Sequence, residues 1–179
     1  DTASTALSLL ACGCNISALV SMPTDTRPQN SLDICSFART HQINYLEVSD
    51  INDPSFIEVL RCLTPDYIFC LWPKLLGKEI LNLPKYFCIG SHPTELPHNR
   101  GRHPLHWLLS LGIEKSCLSF FRMDEGVDSG NILLQLPFTI PPDIDIGNLE
   151  RHVDGLYGDG AQQLVSLLQF GSFFLAKLR

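Results

Sequence analysis

The sequence predicts an α/β fold: an open, doubly wound, mostly parallel sheet with helices on both faces. Three observations point there. Segments of helical period alternate with short strand-like segments along the chain. The run Tyr67-Ile68-Phe69-Cys70-Leu71-Trp72 is apolar at every position, as a strand covered on both faces must be. With 179 residues, 45% of them apolar and 18% charged, the chain can build one sizeable core and lacks the composition of a disordered segment. No repeat, low-complexity tract or linker interrupts it, so residues 1–179 read as a single domain.

The elements follow in order. Ala3, Ala6, Leu7, Leu10 and Ala11 fall on one helical face, and Gly13 can close that helix. Ile16 to Val20 reads as a buried strand before Pro23, and residues 24–30 as a polar loop. Leu32, Cys35 and Ala38 space a second helix, followed by a strand over Tyr45 to Val48. Asp53-Pro54 is a helix start, with a side-chain acceptor at the N-cap and proline at the first helical position. Phe56, Ile57, Leu60 and Leu63 face inward from it, and Pro65 ends it. After the Tyr67–Trp72 strand come a short helix near Leu75–Leu81 and the strand Phe87-Cys88-Ile89. A helix over Pro104–Leu111, closed by Gly112, precedes strands at Cys117–Phe121 and Ile132–Thr139. A long helix spans about Ile146 to Phe170, with Leu149, Val153, Leu156, Leu164 and Leu168 inward. The chain opens on a helix, whereas doubly wound sheets normally open on a strand at their centre. The first strand is therefore either missing or not needed by this sheet.

Charge and composition narrow the function. Thirteen basic against nineteen acidic residues leave a net charge of −6, the wrong sign for a protein whose main task is holding nucleic acid. No apolar run approaches the roughly 18 residues of a membrane span. Asp1-Thr2-Ala3-Ser4-Thr5 carries no basic leader. The cysteine count is odd, at seven, and Cys35, Cys62, Cys70, Cys88 and Cys117 sit in apolar stretches, which suits a reducing cytoplasm. The apolar tail Phe170-Gly171-Ser172-Phe173-Phe174-Leu175 offers itself as a homo-oligomer surface or as an internally packed segment.

Two stretches carry chemistry. The first, Gly90-Ser91-His92-Pro93-Thr94-Glu95-Leu96-Pro97-His98-Asn99-Arg100-Gly101-Arg102-His103-Pro104-Leu105-His106-Trp107, holds four of the six histidines directly after a buried strand. His92 thus lies at a strand's carboxyl end, where open sheets build their sites. The second, Asp124-Glu125-Gly126-Val127-Asp128-Ser129-Gly130, concentrates three carboxylates between two strands. Each stretch also reads as an ordinary proline-stiffened loop or turn. Brought together, Asp128 would orient the His92 ring, and the pair would handle a proton of an incoming nucleophile.

Together the two stretches resemble the formyltransferases that use 10-formyltetrahydrofolate, whose signature runs Asn-x-His-x-Ser-x-Leu-Pro-x-x-x-Gly, with a later loop ending Asp-x-Gly. His92, Leu96, Pro97 and Gly101 match, Thr94 takes the Ser place, and Asp128 falls on the family's catalytic aspartate. The resemblance covers nearly the whole chain and implies formyl transfer to a primary amine by His92 and Asp128. It places the pterin between the end of the Tyr67–Trp72 strand and the 124–128 loop. There backbone groups of Asp124, Glu125 and Gly126 would read its edge, and Leu71, Trp72, Met123 and Val127 would supply apolar walls.

The family's catalytic asparagine falls on Gly90. Losing one such oxyanion donor typically costs about 10²–10³ in rate. Asn99, Ser91 and backbone N–H groups are the replacement candidates. Arg100, Arg102 and His103 suit phosphate or sugar oxygens, favouring a nucleotide-linked amino sugar as the acceptor amine.

Rival readings are a folate-binding module without turnover, a glycinamide ribonucleotide or methionyl-tRNA type of formyltransferase, and a hydrolase that releases formate. A zinc site built from His98, His103 and His106 with Asp124 or Asp128 is another, with Cys12-Gly13-Cys14 a fainter metal signal.

Overall fold

The computed structural model describes residues 2–23, 25, 33–72 and 74–168 in full, and the backbone of residues 172–176. Leu32, most of the 24–30 loop and Phe170 lie outside the described residues. Among the described residues six helices and seven strands follow in the order α1 (Thr2–Ala11), β1 (Asn15–Ser21), α2 (Ile34–Thr40), β2 (Tyr45–Glu47), α3 (Pro54–Cys62), β3 (Tyr67–Cys70), α4 (Lys78–Leu81), β4 (Phe87–His92), α5 (Pro104–Ser110), β5 (Lys115–Arg122), β6 (Ile132–Thr139), α6 (Ile146–Leu167) and β7 (Ser172–Ala176).

Local signals set the helix starts. The Asp53 carboxylate accepts hydrogen bonds from the N–H groups of Ser55 and Phe56, and Pro54 follows where no N–H is needed. Asp33 caps α2 through Ser36 N–H, and Asp145 caps α6 through Asn148 N–H. The Ser55 hydroxyl, with the Phe56 N–H after it, lowers the Asp53 carboxyl from its usual value, and the Asn148 N–H does the same for Asp145.

The sheet runs β2-β1-β7-β3-β4-β5-β6. Pairing is parallel from β2 through β4 and antiparallel at both edges of β5, so β5 alone among the described strands runs against the rest. Successive β3 residues bury on opposite faces. Tyr67 and Phe69 join a core shared with α1, α2, α5 and α6, while Ile68 and Cys70 join one shared with α3 and α4. This two-sided burial explains the uninterrupted apolar run. Fully burying Phe69 or Phe120 contributes on the order of 1.5–3 kcal/mol each.

Two expectations are corrected here. The sheet is not left without a central strand, because β7 occupies that place between β1 and β3. Its backbone pairs with Asn15–Val20 on one side and Tyr67–Cys70 on the other. Segment 172–176 is therefore an interior strand, with both of its backbone edges hydrogen-bonded.

The buried face of α1 is also rotated from the apolar stripe. Thr2, Thr5, Ala6, Ser8 and Leu9 face inward, while Leu7 is 48% exposed. The reason is the glycine-bearing stretch of α6. A Cβ on Gly158 would stand 3.1 Å from Ser8 Oγ, so small α1 side chains allow an approach that leucines would not. Gly160 serves the same helix against the sheet, where a Cβ would meet Phe120 Cε2 at 2.3 Å.

Burial pushes the Cys70 thiol up to about 12 and the Cys14 thiol up to about 11, and raises Cys88 as well. Cys62 is exposed. A thiol reagent near pH ~8 is expected to label Cys62 readily and Cys70 and Cys88 only after denaturation, as peptide mass spectrometry would report. Rapid labelling of Cys70 in the folded chain would contradict this packing. Among the described residues no helix is long and apolar enough to cross a membrane.

Candidate active site

β4 delivers His92 at its last position, with the side chain only 7% exposed. The residues after it turn back over the ring. The backbone carbonyl of Asn99 accepts from His92 Nε2 at 2.9 Å, and Asp128 Oδ2 stands 3.5 Å from Nδ1. That second distance is longer than a good hydrogen bond, an ion-pair approach rather than a tight contact. Asp128 is 21% exposed and also accepts the Gly101 N–H at 3.0 Å. Both ring nitrogens face oxygen acceptors; a doubly protonated ring would satisfy both.

The approach of the two segments rests on uncommon backbone. Asn99 at φ 54°, Asp128 at φ 48° and Gly101 at φ 98° all take left-handed conformations. For the non-glycine residues this costs about 1–2 kcal/mol each and persists only because the surroundings enforce it. The 94–99 turn is bolted from beneath. Thr94 Oγ1 donates to the carbonyls of His98 (2.9 Å) and Asn99 (3.3 Å). Ser119 Oγ on β5 donates to Thr94 O at 2.6 Å and accepts from Leu96 N–H at 3.3 Å. Gln135 Nε2 on β6 donates to Ser119 Oγ at 2.9 Å and to Leu96 O at 3.1 Å.

The second segment leaves β5 with Met123 N–H donating to Cys88 O at 2.8 Å, and closes where Arg122 N–H donates to Asn131 O at 2.8 Å. Of its three carboxylates, Asp128 alone is placed beside His92. Asp124 is satisfied within the turn by Gly126 N–H at 3.0 Å and Ser129 Oγ at 2.6 Å. Glu125 reaches α4, where Lys78 Nζ lies 3.5 Å away.

The four apolar residues expected as cofactor walls do not converge. Trp72 is buried in the α3/α4 core and Met123 packs against that core, whereas Leu71 packs against the opposite face of the sheet and Val127 is 50% exposed. Leu71 and Trp72, just past β3, thus join opposite cores. The Trp72 indole N–H is buried and has no hydrogen-bond partner among the described residues.

Arg100, Arg102 and His103 lie on the exposed side of the loop. His103 and His106 pack edge to face, with ring centroids 5.8 Å apart, beside a hollow of about 430 Å³ lined with Trp107 and Ser110. Among the described residues no three His, Cys, Asp or Glu side chains gather as a metal site requires, so His98, His103 and His106 form no zinc constellation with Asp124 or Asp128.

Gly90 lies two residues before His92, where an added Cβ would stand 2.7 Å from Phe121 Cζ and 3.0 Å from Met123 Cγ. The space for a side chain at this position is filled by β5 and the residue after it. Sequence reasoning missed both this filling and the Thr94–Ser119–Gln135 network. The one available signal was a lone glutamine inside the apolar run Leu133-Leu134-Gln135-Leu136.

Comparison with known proteins agrees with this geometry. A sequence model described as formyl transferase matches residues 12–161. The methionyl-tRNA formyltransferase of Syntrophus aciditrophicus is 37% identical over 133 residues, covering 74% of this chain and 43% of that protein. That of Thermotoga maritima is 27% identical over 172 residues, covering 93% of this chain and 55% of the relative. The chain thus spans about half the length of these relatives. In fold it is similar to phosphoribosylglycinamide formyltransferase from Bacillus halodurans, with a TM-score of 0.76 at 16% identity over 92% of this chain and 91% of that one. Methionyl-tRNA formyltransferase from Clostridium thermocellum gives 0.61 at 21% identity over 91% of this chain and 73% of that one. A match through both chemistry-bearing loops, on a sheet of the same architecture, places the chain in the formyl transferase family.

Proposed function

We propose that this chain transfers a formyl group from 10-formyltetrahydrofolate to a primary amine carried on a small, phosphate-bearing acceptor. The observation that carries the reading is the His92–Asp128 pair, brought within 3.5 Å by two segments that are far apart in sequence. Trp72, whose buried N–H has no partner among the described residues, and Met123, in contact with the same core, are the residues that fit a pterin with ring acceptors and an apolar face. Asp124, Glu125 and Gly126 line the neighbouring turn. When bound, the folate supplies the electrophilic one-carbon unit.

The protein's part is proton placement and charge. His92 Nε2 holds a proton on the Asn99 carbonyl, where it is transferable to an oxygen gaining negative charge. Asp128 offsets the positive charge of the protonated ring and keeps its orientation. Asn99 holds the ring through its backbone carbonyl, and its side-chain amide, with backbone N–H groups and the His92 proton, is a donor for the oxyanion role left open at Gly90. Arg100, Arg102 and His103 offer exposed cationic and donor groups to acceptor phosphates. A nucleotide-linked amino sugar fits them. A net charge of −6 weighs against a transfer-RNA acceptor, but the relatives alike in sequence are methionyl-tRNA formyltransferases and one alike in fold is a phosphoribosylglycinamide formyltransferase, so both acceptors stand as the alternatives to an amino sugar.

The test is a formylation screen with 10-formyltetrahydrofolate and three acceptor classes: amino-sugar nucleotides, glycinamide ribonucleotide and aminoacylated transfer RNA. Formylated amino sugar is the expected product. Exclusive formylation of another class would overturn the acceptor assignment, and formate release with no formylated amine would overturn transfer itself. Folate binding without turnover would reduce the chain to a binding module.

A further inference from the structure

We propose that Gln135 is a positioning residue for His92, acting across the sheet through the Ser119 hydroxyl and the 94–99 turn. Its catalytic consequence rests on the formyl-transfer reading; the mechanical link to the ring does not.

The link is continuous. Gln135 pairs in register with Ser119, and Ser119 pairs in register with His92, so the three positions lie in one row across β6, β5 and β4. Ser119 and Thr94 are fully buried, and His92 is nearly so. Leu96 O can only accept, so the group that Gln135 turns toward it must be the amide NH₂. The same NH₂ group then donates to Ser119 Oγ at 2.9 Å, which also receives Leu96 N–H. With both lone pairs of the hydroxyl engaged, its own proton has one remaining direction, toward Thr94 O at 2.6 Å. Gln135 therefore removes the rotational choice of the Ser119 hydroxyl.

That choice matters at the other end of the turn. Thr94 is held by its carbonyl and in turn ties the carbonyls of His98 and Asn99 through Oγ1. The Asn99 carbonyl is the group bonded to His92 Nε2. Without the amide, Ser119 Oγ can turn away from Thr94, and the turn that presents the Asn99 carbonyl loses its lower anchor. A carboxylate at position 135 is worse than an apolar group. It would face the Leu96 carbonyl with like partial charge and draw the Ser119 proton to itself.

The test uses Gln135→Leu and Gln135→Glu in the folded chain, with thermal melts to establish folding. Imidazole ¹⁵N shifts report the His92 ring, with His41 on α2 as the remote control. We expect the His92 signals to move in both variants, further in Gln135→Glu, while the control stays in place. We also expect kcat to fall on the order of 10- to 100-fold, as slight misplacement of a reacting group does, with the donor KM within about threefold. Unchanged His92 signals in folded Gln135→Leu and Gln135→Glu would overturn the proposal, whatever the activity. Ser119→Ala provides the second handle. If Gln135 acts through that hydroxyl, Gln135→Leu added to Ser119→Ala moves the His92 signals little further, whereas fully additive shifts would overturn the route. If native chain shows no formyl transfer, the spectroscopic arm still decides the positioning claim, so the two failures are distinguishable.

Discussion

Replacing Asp128 by Asn, or His92 by Ala, is expected to lower formyl transfer by on the order of 10²–10⁴-fold, the usual span for a positioned acid–base group. The asparagine keeps the size of Asp128 and an oxygen for the Gly101 N–H. It removes the charge that balances a protonated imidazole and offers an amide donor in another orientation. Asp128→Asn should therefore leave the fold and folate-analogue binding nearly intact while kcat collapses. The two residues act as one unit, so the double variant should be little worse than either single one. Single-turnover rates measured with saturating donor check this. Wild-type turnover by either variant would remove the pair from the mechanism, and additive losses would mean that they act separately.

Gly90→Asn, which restores the residue type the family carries there, is expected to harm this chain rather than improve it. Its Cβ would lie 2.7 Å from Phe121 Cζ and 3.0 Å from Met123 Cγ, closer than real side chains approach. Phe121 is buried and is the cross-strand partner of Gly90, so its ring has little freedom to yield. Overpacking of this kind costs about 1–3 kcal/mol. For a chain of this length, each kcal/mol lowers Tm by about 2–4 °C. Adding Phe121→Ala should recover part of that loss by opening the space, although the second change carries a cavity cost of its own. Calorimetry on Gly90→Asn, Phe121→Ala and the double variant measures the coupling. A Gly90→Asn chain as stable as the native one, or faster in turnover, would show that the space is not closed.

These two expectations differ in where they could be read. The His92–Asp128 pairing was legible in the amino acids because His92 ends one recognisable strand, Asp128 sits in an acid-rich loop after another, and the two spaced motifs together resemble one family's signature. The obstruction at Gly90 was not legible. Glycine looks the same in sequence whether its missing side chain leaves a void or a filled space, and the Phe121 ring that fills it lies thirty-one positions away, across a strand pair. The split of Leu71 from Trp72 has a similar cause. Both are apolar neighbours, and which sheet face each joins depends on what the helices cover.

Short-range physics therefore announced much of the molecule. Caps such as Asp53, the unbroken apolar run of β3 and the proline-bounded loops state their roles through bonds and contacts within a few residues. Assembly alone settled the rest. Placing β7 between β1 and β3, turning α1 onto its small-residue face, closing the space at Gly90 and joining Gln135 to His92 all depend on partners distant along the chain. Local preference is blind to such partners, because close packing and hydrogen-bond direction are decided by whichever surface arrives opposite.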